Sequence, residues 1–453
     1  MTETRIWHLA PAGDFTAGLP IGTGRLAAMV LGDPVAERLA LNHEWLWRGR
    51  NRDRDTRPRS HLLAEVRQLL LEGRWTEATV RGNQAFGNIT GDPEEPIHID
   101  PYQPGGDLFF RLDHGEATGY RRELDLRTGV AAVEYLADGA RFRREYLAHL
   151  PGDLLLVRLT ADRPFGGRVW LDRLADGHCE VERRMLVLDG SFRDGIDFRI
   201  QVQPRMGGGS RHWENDVLVF SGASELLLEI DLATSACGRS PGRECGERFL
   251  ERPEWGELLR SHEEVYRRLY GGLELGVDLR SSTLPTDERV AAARRGAEDP
   301  GLPLLFFNYG RYLHLASTAN ADLPPNLQGK WNEETDPSFR SDYHHNVNLE
   351  MNYWHAEAGH LQASTELLFA HAERFLEHGS KAARDLYACE GVVIPLQTDP
   401  WGRATPAWYG WDVWIGGAAW LAQHFWWHYE FSLDAEFLRR RAYPFFREVA
   451  AFY

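Results

Sequence analysis

The segment Asn326–Trp354, NLQGKWNEETDPSFRSDYHHNVNLEMNYW, gathers the residue types best suited to chemistry in this chain. It holds five Asn, the adjacent His344 and His345, Trp331 and Trp354, and almost no aliphatic run. A core segment does not look like this, because each buried amide needs partners for both its carbonyl and its NH2. Pro324 and Pro325 just before it force an extended approach. The spacing of Asn346 and Asn348 is informative. Two residues apart on a helix point to nearly opposite sides, whereas on an extended segment they share a face. The pattern predicts an extended run over Asp342–Asn348 and a helix beginning near Leu349, so that His344, Asn346 and Asn348 aim one way. Two amides on one face hold a water or a sugar hydroxyl in a fixed orientation. The competing reading is an Asn-rich capping loop, because Asn is favoured at turns and caps.

The rest of the chain bounds what such a segment can act on. A length of 453 residues predicts two to four domains, each large enough to bury a core. With 43% hydrophobic and 26% charged residues the composition is that of a globular protein. A formal charge of −16 argues against nucleic acid or an anionic membrane as partner, since both need a basic footprint. Nine of the 16 Trp lie between Trp331 and Trp427. Indole faces suit the apolar faces of sugar rings, and a Trp-rich helical core is the other explanation. No apolar leader opens the N-terminus and no stretch approaches the length of a membrane span. Cys179, Cys237, Cys245 and Cys389 are scattered without a CxxC pair and read as free thiols in a reducing compartment, so a cytoplasmic location is expected. Asn88-Ile89-Thr90 fits a glycosylation sequon, which reads as chance in that setting.

The elements that must position these residues fall into a β part and an α part. From Ile6 to about Leu250 the alternation predicts short strands, including Leu154–Thr160, Arg168–Leu174, Val217–Phe220 and Leu226–Leu232, arranged as a large β-sandwich. A helix over His61–Thr79 interrupts them. Gly22-Thr23-Gly24-Arg25-Leu26-Ala27 matches a loose dinucleotide fingerprint, but it lacks the following helix and reads as a strand-entering turn, so no cofactor is expected. Trp255–Tyr270 and Thr286–Gly296 predict a helical linker. Beyond it come helices at Phe306–Ala316, Leu349–His378, Val413–Phe431 and Ala435–Tyr453, and a loop Val392–Trp408 carrying Asp399, Trp401 and Trp408. The expected architecture is multidomain β + α: a β-sandwich over residues 1–250, a linker over 251–300 and part of an α/α toroid over 301–453. The last helix ends at Tyr453 without a cap, so the sequence reads as the front part of a longer protein. The half-built toroid would then expose an apolar face suited to self-association.

Four blocks of the sequence resemble glycoside hydrolase family 95, the inverting α-L-fucosidases and their α-L-galactosidase relatives. They are LPIGTGRL (19–26) with Leu41-Asn42 and Leu46-Trp47; NLQGKWN (326–332); DYHHNVNLEMNYW (342–354); and TDPWGRATP (398–406) followed by GGAAWL (416–421) and His428-Tyr429. The resemblance runs in order along essentially the whole chain. It implies a supersandwich-like N-terminal domain, a helical linker and an (α/α)6 catalytic domain acting on an oligosaccharide or glycoside without metal or cofactor. It places Asn346 and Asn348 as the residues that position the attacking water, and His344 beside them as a substrate contact. It also places Trp331, Asn332, Asp399 and Trp401 in the pocket. An inverting hydrolase needs a protonated carboxylic acid at the glycosidic oxygen and a held water on the opposite ring face. Asn carbonyls orient that water, but a carboxylate must take up its proton. The family's acid Glu, in a Ser-Pro-Glu-Asn-like block, and its assisting Asp have no counterpart in these 453 residues. Glu350 lies in the NLEMNYW block and reads as structural. Gln397 also departs from the family, where a His-Asn pair is common. A non-catalytic carbohydrate-binding remnant is the alternative. Metal hydrolysis through His344, His345 and Asp399 lacks HExxH-like spacing.

Overall fold

A computed structural model describes residues 3–53, 55, 58–86, 99–249, 254–276, 282–406 and 413–453. Trp408 and the Asn88–Thr90 sequon lie outside the described residues. The chain divides into two compact units. One comprises Met1–Arg48, Gln103–Asp322 and Lys330–Thr335; the other comprises Gly49–Tyr102, Leu323–Gly329 and Asp336–Tyr453.

The first unit is built on an antiparallel sheet of 14 strands. Burial alternates along Gly106–Leu112, as a half-buried pleat requires. Two long strands, Leu154–Asp172 and Val217–Thr234, organise the sheet. The first half of Leu154–Asp172 pairs with Ala140–His149 and its second half with Gly106–Leu112. Val217–Thr234 follows its other edge, with register shifts between Phe220 and Glu225. The sequence reading cuts each of these into two strands of a sandwich, because Pro164, Gly166, Gly167 and Gly222 look like turns. The backbone instead passes through as bulged, bent strand, so hydrogen bonding is continuous in one curled sheet. The Trp255–Tyr270 helix packs Trp255 and Leu258 against Leu147, Leu154, Leu156 and Leu227 of that sheet.

The glycine motif has a structural explanation within this unit. A Cβ on Gly22 would lie 2.4 Å from the carbonyl oxygen of Ala316, in the Gly301–Thr318 helix. Gly24 has φ +97°, and a Cβ there would meet the backbone nitrogens of Ala319, Asn320 and Ala321 within 2.9 Å. The two glycines mark a close crossing of backbones, and no helix follows them to hold a phosphate.

The second unit is mainly helical. The predicted His61–Thr79 helix is two helices, Leu63–Leu71 and Trp75–Phe86, separated at Gly73 with φ +74°. The predicted Leu349–His378 helix is also broken. Asn348–Tyr353 is one short helix, and helical structure resumes over Thr365–Glu373 and Phe375–Ala382. Between them His360 adopts φ +56°, with Leu361 N–H donating to Ala356 O at 2.8 Å and His360 N–H to Glu357 O at 3.4 Å. That is a Schellman closure with a histidine in the left-handed position, where glycine is the usual signal. The apolar periodicity runs straight through it and hides the stop. Gly417–Ser432 and Tyr443–Phe452 pack through a stack of Phe425 on Phe445, 4.7 Å between ring centres. Among the described residues no helix is long and apolar enough to cross a membrane.

Gly24→Ala is expected to lower the stability of the first unit by more than about 2 kcal/mol, since both φ and the backbone contact oppose a side chain. A fall in the urea midpoint with an unchanged slope is the expected reading.

Candidate active site

A two-residue antiparallel ladder assembles the site. Tyr343 lies opposite Thr398 and His344 opposite Gln397. His345 continues the connection, its N–H donating to Leu396 O at 2.9 Å, while Trp414 Nε1 donates to His345 O at 2.7 Å. The chain then turns through Asn346 and Val347, and Met351 N–H to Val347 O at 2.8 Å opens the Asn348–Tyr353 helix. The extended run therefore ends at His344, short of the predicted Asn348. The partner segment offers only two paired residues, and helix formation captures Asn348 instead.

Asp342 precedes the ladder and is fully buried. One of its oxygens accepts from His344 Nδ1 and the other from Gln397 Nε2. Burial pushes its carboxyl up to about 6, against the opposing pull of His344, Gln397 and Arg403. Ionised at neutral pH, it accepts from His344 at Nδ1 and so fixes the orientation of that ring. Asp342, His344 and Asn348 line one cleft of about 80 Å³ together with Asn326, Met351 and Asn352. Asn346 sits in the turn between His344 and Asn348, with its Oδ1 buried and without a hydrogen-bond partner. The arrangement offers an oriented imidazole and an amide to a hydroxylated ligand, and an unspent amide carbonyl one turn away.

The catalytic-domain profile of glycosyl hydrolase family 95 matches residues 254–453, and the N-terminal domain profile of glycosyl hydrolase family 65 matches residues 6–238. It is over residues 254–453 that the chain is similar to glycosyl hydrolase family 95. It is 29% identical to Alpha-L-fucosidase 2 of Arabidopsis thaliana, over 98% of the chain and 57% of that protein. It is 26% identical to Probable alpha-fucosidase A of Aspergillus niger, over 99% of the chain and 60% of that protein. The chain thus spans somewhat more than half the length of these relatives. In fold it is similar to a putative kojibiose phosphorylase from human microbiome, with a TM-score of 0.60 at 8% identity, covering 99% of the chain and 59% of that structure.

Of the residues the family resemblance singles out, His344 and Asn348 share the cleft, while Asn346 lies between them in sequence and is not among the lining residues. Asp399 follows the partner strand, fully buried, and its Oδ1 accepts from Trp401 N at 3.0 Å and Arg403 N at 3.3 Å. These bonds shape the turn that carries Trp401. Trp331 and Asn332 belong to the sheet unit. There Trp331 Nε1 donates to Ile21 O at 3.1 Å. Asn332 N–H donates to Asn42 Oδ1 at 3.1 Å and Asn42 Nδ2 returns a bond to Asn332 O at 2.9 Å, so two of the family's blocks are bonded to each other.

Three features escape sequence reasoning. The first is the Asp342–Gln397 contact; Gln397 stands out in the sequence only as a departure from relatives, with nothing to show its partner. The second is a buried imidazole pair behind the ladder. His345 Nδ1 lies 3.2 Å from Pro395 O, which only accepts, so the neutral ring accepts at Nε2. His371 Nε2, 3.2 Å away, must then donate, leaving His371 Nδ1 buried, unprotonated and without a partner. Burial holds His345 down at about 3 and His371 well below its ordinary value, so both rings are neutral. The third is Glu350, fully buried with neither carboxyl oxygen hydrogen-bonded. Burial raises it to about 7. It sits two residues from Asn348 on the short helix, on the side away from the cleft-lining Asn348, Met351 and Asn352. Among the described residues no group of three or more His, Cys, Asp or Glu is placed to hold a metal ion.

Phe339, Arg340 and Ser341 all adopt left-handed φ, at 51°, 59° and 56°, immediately before Asp342. Ser341→Gly is expected to stabilise the protein by about 1 kcal/mol in thermal unfolding, because it removes a left-handed Cβ and an unpaired buried Oγ. Glu350 makes a signed pH prediction. Its folded pKa near 7 exceeds the ordinary 4.5, so the folded state binds the extra proton between those values. Stability should fall by about 3 kcal/mol as pH rises from 4.5 through 7, and Glu350→Gln should flatten that slope.

Proposed function

We propose that the cleft beside the Tyr343–His344 ladder is the substrate site of an α-L-fucosidase-like glycoside hydrolase. It would remove terminal α-L-fucosyl or related α-L-galactosyl residues with inversion. The observation that carries this reading is Asn348 opening into a cleft beside an imidazole oriented by Asp342. Similarity to Alpha-L-fucosidase 2 over 98% of the chain supports it. In this reading Asn346 and Asn348 hold the water, His344 contacts a sugar hydroxyl, and Asp399 and Trp401 support the pocket. The helices of the second unit belong to an (α/α)6 toroid, and the general acid and assisting carboxylate come from outside these 453 residues. Exposed Phe431, Leu433 and Tyr443 are where self-association would run. None of the nearer carboxylates fits the acid role: Asp342 is committed to two hydrogen bonds, and Glu350 lies on the wrong side of its helix.

α-L-Fucosyl fluoride separates the two halves of this machinery, because fluoride departs without a proton. Given added formate or acetate to take up the proton of the attacking water in place of the assisting carboxylate, the 453-residue chain is expected to hydrolyse the fluoride to β-L-fucose, seen by NMR of the first-formed anomer. It should turn over an alkyl α-L-fucoside at least about 10²-fold more slowly, in keeping with loss of general-acid assistance. Asn348→Ala and Asn346→Ala should each cut fluoride hydrolysis by about 10²-fold. Unchanged rates in both variants, or a retained anomer, would overturn the assignment.

A further inference from the structure

The helical unit contains a second cleft that the proposed hydrolytic site does not use. Its walls are aromatic: Tyr353 and Trp354 at the end of the Asn348–Tyr353 helix, and Trp427 and Phe431 one turn apart on the Gly417–Ser432 helix. Its volume is about 190 Å³, more than twice that of the first cleft. Trp354 is 50% exposed and Phe431 59% exposed, so large apolar faces stand open to a visitor. Trp427 is held in place by an edge-to-face contact with His424, 5.0 Å between ring centres.

Two polar side chains also line this cleft, and each has an unspent atom. Glu357 is one-tenth exposed at its side chain. Its Oε1 accepts from His428 Nδ1 at 2.7 Å, while its Oε2 is buried with no hydrogen-bond partner. His424 is 4% exposed and its Nε2 is likewise buried and unpartnered. Burial pulls this imidazole down to about 4, so it is neutral at physiological pH. A buried polar atom left unpaired is costly, and a ligand that supplies its partner recovers that cost. Ring faces for C–H surfaces, a carboxylate that accepts from hydroxyls and a neutral imidazole nitrogen form a set that a sugar satisfies in full.

We propose that the cleft formed by Tyr353, Trp354, Glu357, His424, Trp427 and Phe431 is a second saccharide-binding site, distinct from the one containing His344 and Asn348. The pyranose stacks on Trp354 and Trp427, donates a hydroxyl to Glu357 Oε2 and bonds a second hydroxyl to His424 Nε2. A quaternary ammonium is the other class that aromatic walls and a carboxylate attract. The ammonium group itself carries no donor for the His424 nitrogen, whereas one sugar ring presents hydroxyls to both polar atoms, and the sugar is favoured on that ground. The Asn348–Tyr353 helix serves both clefts, the first through Asn348 and Asn352 and the second through Tyr353, so a glycan long enough to span them would be held at two points.

The test is titration of the 453-residue chain with L-fucose, D-galactose, lactose and choline, read by tryptophan fluorescence and ligand-observed NMR. Saturable binding of at least one saccharide should survive Asn348→Ala, which disables only the first cleft. It should weaken at least 10-fold in Trp427→Ala and in Glu357→Gln, and recover in large part in Trp427→Phe, which restores an aromatic face. Three results would overturn the proposal. Saccharide binding lost in Asn348→Ala and untouched in Trp427→Ala would leave only the first cleft. Choline displacing the sugar, or binding where no sugar does, would make this an ammonium site. Absence of saturable binding by any of the four would leave the cleft without the ligand class assigned to it. The Asn348→Ala arm keeps this outcome separate from that of the hydrolytic reading.

Discussion

The pairing of Tyr343–His344 with Gln397–Thr398 is slight in hydrogen bonds, yet the candidate site depends on it. It sets Gln397 against Asp342 across 55 residues of sequence, and Asp342 in turn orients His344. On the far side of the same ladder, His345 is tied at its N–H, its carbonyl and its imidazole, by Leu396, Trp414 and Pro395. A residue fastened at three points transmits little play to its neighbour, and its neighbour is Asn346. The amide proposed to hold a water is thereby held by backbone whose own freedom has been removed, which is the condition for a site to be preorganised.

Buried polarity takes two forms in this chain. In the sheet unit Glu44 and Lys330 form a buried pair at 2.9 Å, and the Glu44 oxygens also accept from Asp322 N–H at 2.9 and 3.1 Å. Arg25 is clasped by Asp153 and Asp231. Networks of that sort are closed, which is how a buried charge is tolerated. Other groups stay open: Gln201 Oε1 and Trp255 Nε1 in the sheet unit, and in the helical unit Asn346 Oδ1, both Glu350 oxygens, His371 Nδ1, Glu357 Oε2 and His424 Nε2. Together with the left-handed run Phe339–Ser341, these are departures from the locally best choice. Such departures concentrate where a protein binds or reacts rather than where it only folds.

Much of this was legible in the residues, for stated reasons. The strand alternation and the dense polar block around His344–Asn348 have strong local signals, and both stand in the structure. What failed were boundaries that depend on tertiary contact. Pro164 and Gly222 look like turns, but a bulge lets the strand continue; His360 does not look like a break, but its left-handed backbone and the Schellman bonds close the turns that follow Tyr353. Asn346 and Asn348 fit an extended face in isolation, and the start of the helix takes Asn348 away from it. Residues 49–102, early in sequence, group with the late helices, and no local pattern announces that. The partners of Asp342, the tautomers of His345 and His371 and the loneliness of Glu350 depend on distances across the fold. Residue type and spacing alone cannot supply them.

The reciprocal bonds between Asn42 and Asn332 join backbone segments 290 residues apart. Lys330 reaches Glu44 across 286 residues in the same unit. The sheet unit therefore cannot close these contacts while its early strands are leaving the ribosome. At roughly 5–20 residues per second, the edge carrying Asn42 and Glu44 waits on the order of 15–60 s for its partners. During that interval a nascent chain carries an acidic Glu44 destined for burial and an unpaired amide at the end of an apolar strand. Vectorial synthesis thus makes the NLQGKWN block the latch of the sheet unit as much as a neighbour of the chemistry.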